Sequence, residues 1–319
     1  MNDVFKSGPT EAIEERHRFS VVVCTRNRAR FLQGTLESVV DQDYPKERYE
    51  LIVVDNGSSD ATRGVVERYR TSAIIPVSYH REGRPGASSA RNLGIEKARY
   101  EYVAFLDDDT LASRRWLGAF DVAMRENNAL AAGGPVEPVP EPGVELPICW
   151  NDVKTLFGFD HVCSFPGKRI GVIRWPLWLG GCNSVYSKGL LRDHGGFRSD
   201  FGPIGGRYRV AEDIDLNVRL ERAGVPIYYV SDARIKHRIT ADRLTRRYIW
   251  RRTYCAGVTD AHAWALLGGR SNAGSLGQLA KAVLRFLICR EPMRTAAGSG
   301  IAYRLGYLRK HWTIMLSNR

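Results

Sequence analysis

The apolar residues of this chain come in short, Val-rich runs that alternate with helically spaced series. Residues 19–24, FSVVVC, predict a strand buried on both faces of a parallel sheet. The run stops at Thr25-Arg26-Asn27-Arg28, after which Leu32, Leu36 and Val39/Val40 recur at helical spacing as far as Tyr44-Pro45. A second run, ELIVV at 50–54, ends in Asp55-Asn56-Gly57-Ser58-Ser59-Asp60. Ser58, Ser59 and Asp60 can cap the helix that follows, with Val65, Val66 and Tyr69 turned inward. A third strand is expected at 74–79, IIPVSY, then a Gly-Pro turn at 83–86 and a helix through Ala90, Leu93 and Ala98. A fourth strand at 102–106, YVAFL, runs into Asp107-Asp108-Asp109.

The second half is less regular. PVEPVPEPGVELP at 135–147 is too proline-rich for a helix or a central strand and reads as a surface loop. Residues 149–180 read as irregular, and Gly180-Gly181-Cys182-Asn183-Ser184 precedes a strand. After a glycine-rich stretch at 201–210, FGPIGGRYRV, a helix is expected from near Ala211 to a C-cap at Gly224. YYV at 228–230 and ARIKH at 233–237 read as the last strands. This alternation predicts an α/β doubly wound, mostly parallel sheet, in which ligands sit beyond the carboxyl ends of the strands. Three of those ends carry polar groups: Thr25, Asp55 and the Asp107–Asp109 triplet. One Asp after a strand is usually a turn or a cap, but recurrence within one sheet favours a site.

Composition narrows the class. The chain has 319 residues, 44% hydrophobic and 26% charged, as an ordinary globular protein has. No apolar run is long enough to span a bilayer, and the polar N-terminus lacks the apolar core of a secretory signal. The six cysteines, Cys24, Cys149, Cys163, Cys182, Cys255 and Cys289, show no C-x-x-C pair, so reduced thiols in a cytoplasmic protein are expected. The net charge of +12 is concentrated at one end. Residues 241–319 hold fourteen Lys and Arg against three Asp and Glu, or +11, which leaves +1 for residues 1–240.

Three adjacent aspartates at a strand end repel one another and read either as a solvated turn or as a grip for a hard cation. Mg²⁺ or Mn²⁺ held by one or two carboxylates suits a diphosphate, whose oxygens complete the shell. Glu212-Asp213 opens a helix, where acidic residues complement the dipole and where a carboxylate can take a proton from an attacking hydroxyl. The glycines at 201–206 suit a lid over the same face. G-x-S-x-G, the Walker loop and G-x-G-x-x-G are absent, which lowers the weight of triad hydrolysis, kinase-type chemistry and hydride transfer.

The order SVVVCTRNR, LIVVDNGSSD, ASSARNLGIEKA, FLDDD, then GGCNSVYSK, GGF, AEDIDLNVRLERAG and ARIKH resembles the family 2 glycosyltransferases with the GT-A fold. The resemblance covers about 19–240, with a weaker echo at 248–261. It implies a short tail at 1–18, a GT-A catalytic domain at 19–240 with a nucleotide-binding half at 19–110 and an acceptor half at 111–240, and an extension at 241–319. It also implies inverting transfer of a sugar from a nucleotide-diphosphate donor, UDP-linked by family frequency, to a hydroxyl acceptor in surface polysaccharide or glycolipid synthesis. By the same resemblance Thr25 and Asp55 hold base and ribose with Arg91 nearby, and Asp107 and Asp108 contact the ribose side. Asp109 binds metal and diphosphate, joined by His237. Asp213 is the base, Glu212 positions the acceptor or sugar, and Gly181 and Asn183 lie at the donor sugar or acceptor.

After 241, Leu276, Leu279, Val283 and Leu287, and then Ile301, Leu305, Leu308 and Trp312, recur at helical spacing among basic residues. Such helices either pack on the catalytic domain with a solvated basic face or rest on anionic lipid at the inner face of the cell membrane. Lipid-linked acceptors, which the family uses, suit the second reading. Nucleic acid ranks behind both, because no recognition motif accompanies the charge. Two further classes stand beside the transferase. One is a sugar-phosphate nucleotidyltransferase, whose glycine-rich, lysine-bearing first loop is replaced here by Thr25-Arg26-Asn27-Arg28. The other is a non-catalytic membrane or nucleic-acid binding module, against which the intact acidic groups argue.

Overall fold

Val-rich residues 19–25 sit at the centre of the sheet in a computed structural model that describes residues 16–146, 169–175, 177–199, 212–267, 276–291 and 293–317. The first part alternates β1 (Phe19–Thr25), α1 (Ala29–Val40), β2 (Tyr49–Asp55), α2 (Thr62–Ser72), β3 (Val77–Arg81), α3 (Ala87–Lys97) and β4 (Tyr102–Asp107). There follow β5 (Thr110–Ala112), α4 (Trp116–Asn127), β6 (Ala131–Gly133), β7 (Val136–Pro140), β8 (Ile170–Ile173), β9 (Asn183–Ser187) and α5 (Lys188–Asp193). Then come α6 (Glu212–Arg222), β10 (Ile227–Val230), β11 (Ile235–Ile239), α7 (Arg246–Leu266), α8 (Leu276–Ile288) and α9 (Met293–Ser317).

The large sheet has the order β3-β2-β1-β4-β9-β6-β10-β8. β3, β2, β1 and β4 are mutually parallel, as are β6 and β10, whereas β9 runs antiparallel to both β4 and β6. Successive side chains of a strand point to opposite faces, and the central strands use both. Val21, Val23, Leu51, Val53, Ala104 and Leu106 pack with Leu32, Leu36, Val65, Trp116 and Phe120 on one side. Val22, Ile52, Val54, Val103 and Phe105 pack with Ala90, Leu191, Leu216 and Leu220 on the other. Each such side chain removed from water contributes ~1.5–3 kcal/mol, so the continuous apolar runs are what buries this sheet on both faces.

Three sequence expectations are corrected. Residues 149–180 are not irregular throughout, because Ile170–Ile173 forms a strand that pairs antiparallel with β10. The third strand is 77–81 and not 74–79: Pro76 has no N–H to give, its carbonyl accepts from Leu51 N (2.9 Å), and Ile74 is exposed. The proline-rich segment is not all loop, because Val136–Pro140 forms an edge strand of a second, three-stranded sheet of order β5-β11-β7. Pro135 O accepts from Ile235 N and Glu141 N donates to Ile239 O, so odd-numbered residues face β11. Pro138 and Pro140 fall at even positions, where a missing N–H costs no ladder bond. The helix expected to close at Gly224 does so, with Gly224 at φ +76°. The expected helix start at Ala211, the glycine-rich stretch 201–210, Cys149 and Cys163 lie outside the described residues. Among the described residues Cys24, Cys182, Cys255 and Cys289 form no disulfide.

Of the C-terminal helices, α7 and α9 meet at backbone distance. A Cβ on Gly257 would lie 1.9 Å from Tyr303 O, and one on Gly306 2.0 Å from Tyr254 O. The face of α9 that packs is made of Thr295, Ala297, Ser299 and Tyr307, whereas Leu305 and Trp312, singled out by their spacing, are exposed. Among the described residues no helix is long and apolar enough to cross a membrane.

Candidate active site

The carboxyl ends of β1, β2 and β4 fall in line because their register is even: Thr25 pairs with Asp55, and Cys24 with Asp107. β9 enters antiparallel at Asn183, opposite Leu106, so the residues before it, Gly181 and Cys182, arrive at the same edge. β11 pairs His237 with Thr110, and Arg238 N donates to Asp109 O (3.0 Å), which lays the small sheet against the aspartates. From α1, Thr35 Oγ1 lies 2.8 Å and 2.7 Å from the carbonyl oxygens of Asp108 and Thr110 and fixes the turn that carries the triplet.

The turns after β1 and β2 are laced together. Asn27, at φ +53°, accepts from Ser59 N through Oδ1 (2.7 Å), and its own N–H donates to Ser58 Oγ (2.8 Å). Asp60 serves two helices at once, accepting from Ala29 N (3.0 Å) and Thr62 N (3.1 Å). Asp55 is buried and accepts from Ser58 N (2.7 Å) and Tyr79 Oη (2.6 Å). Thr25 Oγ1 donates to Asp108 Oδ2 (2.8 Å).

The three aspartates are not equivalent. Asp108 is buried beside Thr25 and Arg28, and burial pushes its carboxyl up to about 7 against the lowering pull of Arg28. Asp109 is just as buried, and burial alone would raise it, but His237, Arg243 and Arg28 outweigh that and hold it below the usual range. Arg28 Nη2 (2.9 Å) and Arg243 Nη2 (2.8 Å) both bond Oδ2 of Asp109, while Oδ1 faces His237 Nε2 at 3.5 Å. Asp107 completes this corner. One carboxylate oxygen each from Asp107 and Asp109 and one nitrogen of His237 lie within 4.8 Å of one another. Two hard oxygen donors and an imidazole suit Mg²⁺ or Mn²⁺, and Asp109 presents an oxygen that neither arginine occupies, so the residues fit a divalent cation.

Opposite stands the start of α6. Asp213 Oδ2 accepts from Gly181 N (2.9 Å) and Oδ1 from Ile214 N (2.9 Å). Glu212 Oε1 accepts from Arg91 Nη1 (2.7 Å), and the other end of that guanidinium reaches Asp107 Oδ1 (3.2 Å). Arg91 is buried and also lies over the Phe197 ring at 5.4 Å. Burial raises the Glu212 carboxyl, and Arg91 offsets part of the rise. Gly181 has to be small here, because a Cβ would sit 2.9 Å from Arg91 Nη2 and 3.3 Å from Asp213 Cβ.

The structure therefore gathers Thr25, Asp55, Arg91, Asp107, Asp108, Asp109, Gly181, Glu212, Asp213 and His237 at one edge of the sheet. Asn183 stands apart. It is fully buried, its Nδ2 donates to Pro135 O (3.0 Å) and Ala233 O (2.8 Å), and its Oδ1 accepts from Trp116 Nε1 (2.8 Å). Its amide holds the two sheets and α4 together and does not face a ligand. Asp107, expected on the ribose side, groups with Asp109 and His237, while Asp108 is the one turned towards Thr25. Sequence reasoning passed over Arg28 and Arg243. Arg28 read only as the end of a strand and Arg243 as one more charge of the basic tail; nothing in their spacing marked them. The thiol of Cys182 is also at this edge, raised first by burial and then by Asp107, Asp213 and Asp109.

Residues 20–161 match the model of Glycosyl transferase family 2. That part of the chain is a family 2 glycosyltransferase domain. The poly(ribitol-phosphate) beta-N-acetylglucosaminyltransferase TarS of Staphylococcus aureus is 35% identical over 100 residues, 31% of this chain and 18% of TarS. The validoxylamine A glucosyltransferase of Streptomyces hygroscopicus subsp. jinggangensis is 30% identical over 237 residues, 65% of this chain and 52% of its own length. The chain thus spans less than two thirds of the curated relatives it matches. The crystal structure of S. aureus TarS 1-349 superposes with a TM-score of 0.53 at 19% identity, covering 94% of this chain and 92% of that one. A mannosyltransferase from Pyrobaculum calidifontis, solved with GDP-Man and Mn²⁺, gives 0.55 at 21% identity, covering 92% and 87%. These likenesses establish the GT-A fold for this family 2 glycosyltransferase domain.

Proposed function

We propose that this chain is an inverting, metal-dependent glycosyltransferase that moves a sugar from a nucleotide-diphosphate donor, UDP-linked, to a hydroxyl acceptor in surface polysaccharide or glycolipid synthesis. The observation that carries the reading is Arg91: one buried guanidinium joins Asp107 of the cation corner to Glu212, the neighbour of Asp213. The two halves of a displacement, a place for the leaving diphosphate and a base for the attacking hydroxyl, are thereby held at fixed separation. TarS has been solved with UDP, which supports that nucleotide.

In this reading Thr25, Asp55 and Asp108 line the nucleoside side. Asp107, Asp109 and His237 would hold Mg²⁺ or Mn²⁺, whose positive charge offsets the charge that builds on the diphosphate. Arg28 and Arg243 add positive charge at the same corner. The acceptor oxygen attacks the anomeric carbon as its bond to the diphosphate breaks, the electron pair leaves with the diphosphate, and the hydroxyl proton passes to an Asp213 carboxylate oxygen. A single displacement from the opposite face inverts the centre. The backbone N–H groups of Gly181 and Ile214 aim the Asp213 carboxylate, and Glu212, anchored by Arg91, positions the sugar or acceptor. Residues 19–110 serve as the nucleotide half, 111–240 as the acceptor half and 241–319 as a basic extension facing an anionic membrane that holds a lipid-linked acceptor.

Incubation with a panel of nucleotide sugars and Mn²⁺, with released nucleotide measured, tests the reaction. Asp213→Asn keeps the size of the side chain and one of its two backbone hydrogen bonds but accepts no proton, so transfer should fall by about 10²–10⁴, the usual scale of general-base catalysis, while nucleotide affinity holds. Full turnover of Asp213→Asn with a hydroxyl acceptor removes it from the mechanism.

A further inference from the structure

At about 100° per residue, the apolar side chains of α8 form two adjoining stripes, and only one is covered. Leu279, Ala282 and Phe286 are half-buried, with the Phe286 ring 6.0 Å from that of Trp250 and under the Arg294 guanidinium at 4.6 Å. Val283, Leu284, Leu287 and Ile288 point the other way and are 39%, 60%, 68% and 71% exposed. These four cover an arc of roughly 140°, with Lys281 and Arg285 along its edge and Arg290 beyond its end. A soluble helix normally keeps its large aliphatic residues on the covered side. This one carries a second set outward.

We propose that the Val283–Leu284–Leu287–Ile288 stripe of α8 inserts into the surface of an anionic lipid bilayer, with Lys281, Arg285 and Arg290 meeting the headgroups. Charge decides between lipid and a second copy of the chain. Residues 276–319 hold eight Lys and Arg and one acidic residue, so two copies docked through this face would oppose like charges, whereas an anionic surface complements them. This narrows the membrane contact of the proposed function from the whole extension to one helix. The packing face of α9 is already taken by α7, through Gly257 and Gly306. The proposal rests on the transferase reading only for what the contact brings within reach, a lipid-linked acceptor.

The test uses the full chain with vesicles of phosphatidylglycerol and with vesicles of phosphatidylcholine alone. Sedimentation with the first and little with the second, weakening as salt rises, is the expected result. Leu284→Gln with Leu287→Gln should lower partitioning by about tenfold or more, and Lys281→Gln with Arg285→Gln by about tenfold. All four positions lie on the exposed side, so melting temperature and nucleotide release with a soluble acceptor should match the parent. Equal binding to both vesicles, no binding to either, or unchanged binding of the Leu pair overturns the proposal, as does a solution dimer that the Leu pair dissolves. Absence of nucleotide release in the parent chain counts against the transferase reading instead and leaves the vesicle result to stand by itself.

Discussion

Asp109 shows how few side chains set the character of the site. A buried carboxylate with one partner would be costly to ionise; with Arg28, Arg243 and His237 around it, ionisation is favoured. Both arginines bond the same oxygen, so a cation placed between Asp107, Asp109 and His237 does not have to displace them, yet it must tolerate their charge. Asp109→Ala is therefore a poor probe: the residue is buried, and its loss would leave Arg28 and Arg243 facing one another without the carboxylate they share. Arg243 is the cleaner position. Arg243→Gln removes one positive charge from the corner, so Mn²⁺ alone should bind more tightly and nucleotide diphosphate more weakly. Each change should be about ten- to a hundredfold, the scale of one charge-assisted hydrogen bond at ~1.5–3 kcal/mol. Calorimetry with Mn²⁺ and UDP, separately and together, checks both; two unchanged affinities would place Arg243 outside donor binding.

Among the elements, the strands were legible and the helix contacts were not. Runs such as FSVVVC and YVAFL announce strands because a parallel strand buried on both faces has no polar side to show. The strand-end groups Thr25, Asp55 and Asp107 could be placed on one edge for the same reason, since sheet topology alone brings them there. What escaped was set by partners distant in sequence: the edge strand of Val136–Pro140, whose prolines only make sense once β11 lies on one side, and Asn183, whose neighbours suggested a ligand while its amide ties Pro135, Ala233 and Trp116. The α7–α9 contact escaped for a different reason: apolar spacing does not register a joint built on glycine. That joint also holds a half-buried carboxyl. Tyr303 Oη donates to Asp260, and burial still pushes Asp260 up to about 6 from an ordinary 3.8. The folded state then binds more proton than the unfolded one between those values, so this residue's contribution to stability is full below about 4, falls as pH rises, and is gone above about 6. Asp260→Asn keeps an acceptor for Tyr303 and has no charge to bury. It should be more stable than the parent at pH 8, by up to about 3 kcal/mol for a carboxyl moved from 3.8 to about 6, and should lose that advantage near pH 4. Urea unfolding at the two pH values checks it; a difference that does not vary with pH would mean that Asp260 does not titrate in this range.

At the scale of the whole molecule, the basic extension and the site are one structure. α6 carries Asp213 at its first turn and Ile214, Asp215 and Val218 on the side that meets α7. His262 Nε2 reaches Asp215 Oδ1 at 3.4 Å, Arg219 holds the other oxygen at 2.8 Å, and Ala263 packs with Ile214 and Val218. Trp175 and Trp178, stacked at 5.6 Å, close the same cluster from the segment that leads to Gly181, and Trp264 of α7 stands edge-on to Trp175 at 6.2 Å. The base is thus aimed by Gly181 from one side and backed by α7 from the other. This separates two roles within a segment of one charge sign: α7 supports catalysis, while the outer stripe of α8 is free of the core. A chain stopped after Thr245 retains Arg243 but uncovers Ile214 and Val218. Losing burial of two aliphatic side chains at ~1.5–3 kcal/mol each, with about 2–4 °C per kcal/mol in a domain of this size, should lower the melting midpoint on the order of 10 °C. Nucleotide release should fall with it, because Asp213 loses the backing of its helix even though every residue at the strand ends remains. Differential scanning calorimetry and the release assay, run beside the Leu284→Gln, Leu287→Gln chain, set the two roles apart. A shortened chain that melts and turns over like the parent would show that α6 holds its place without α7.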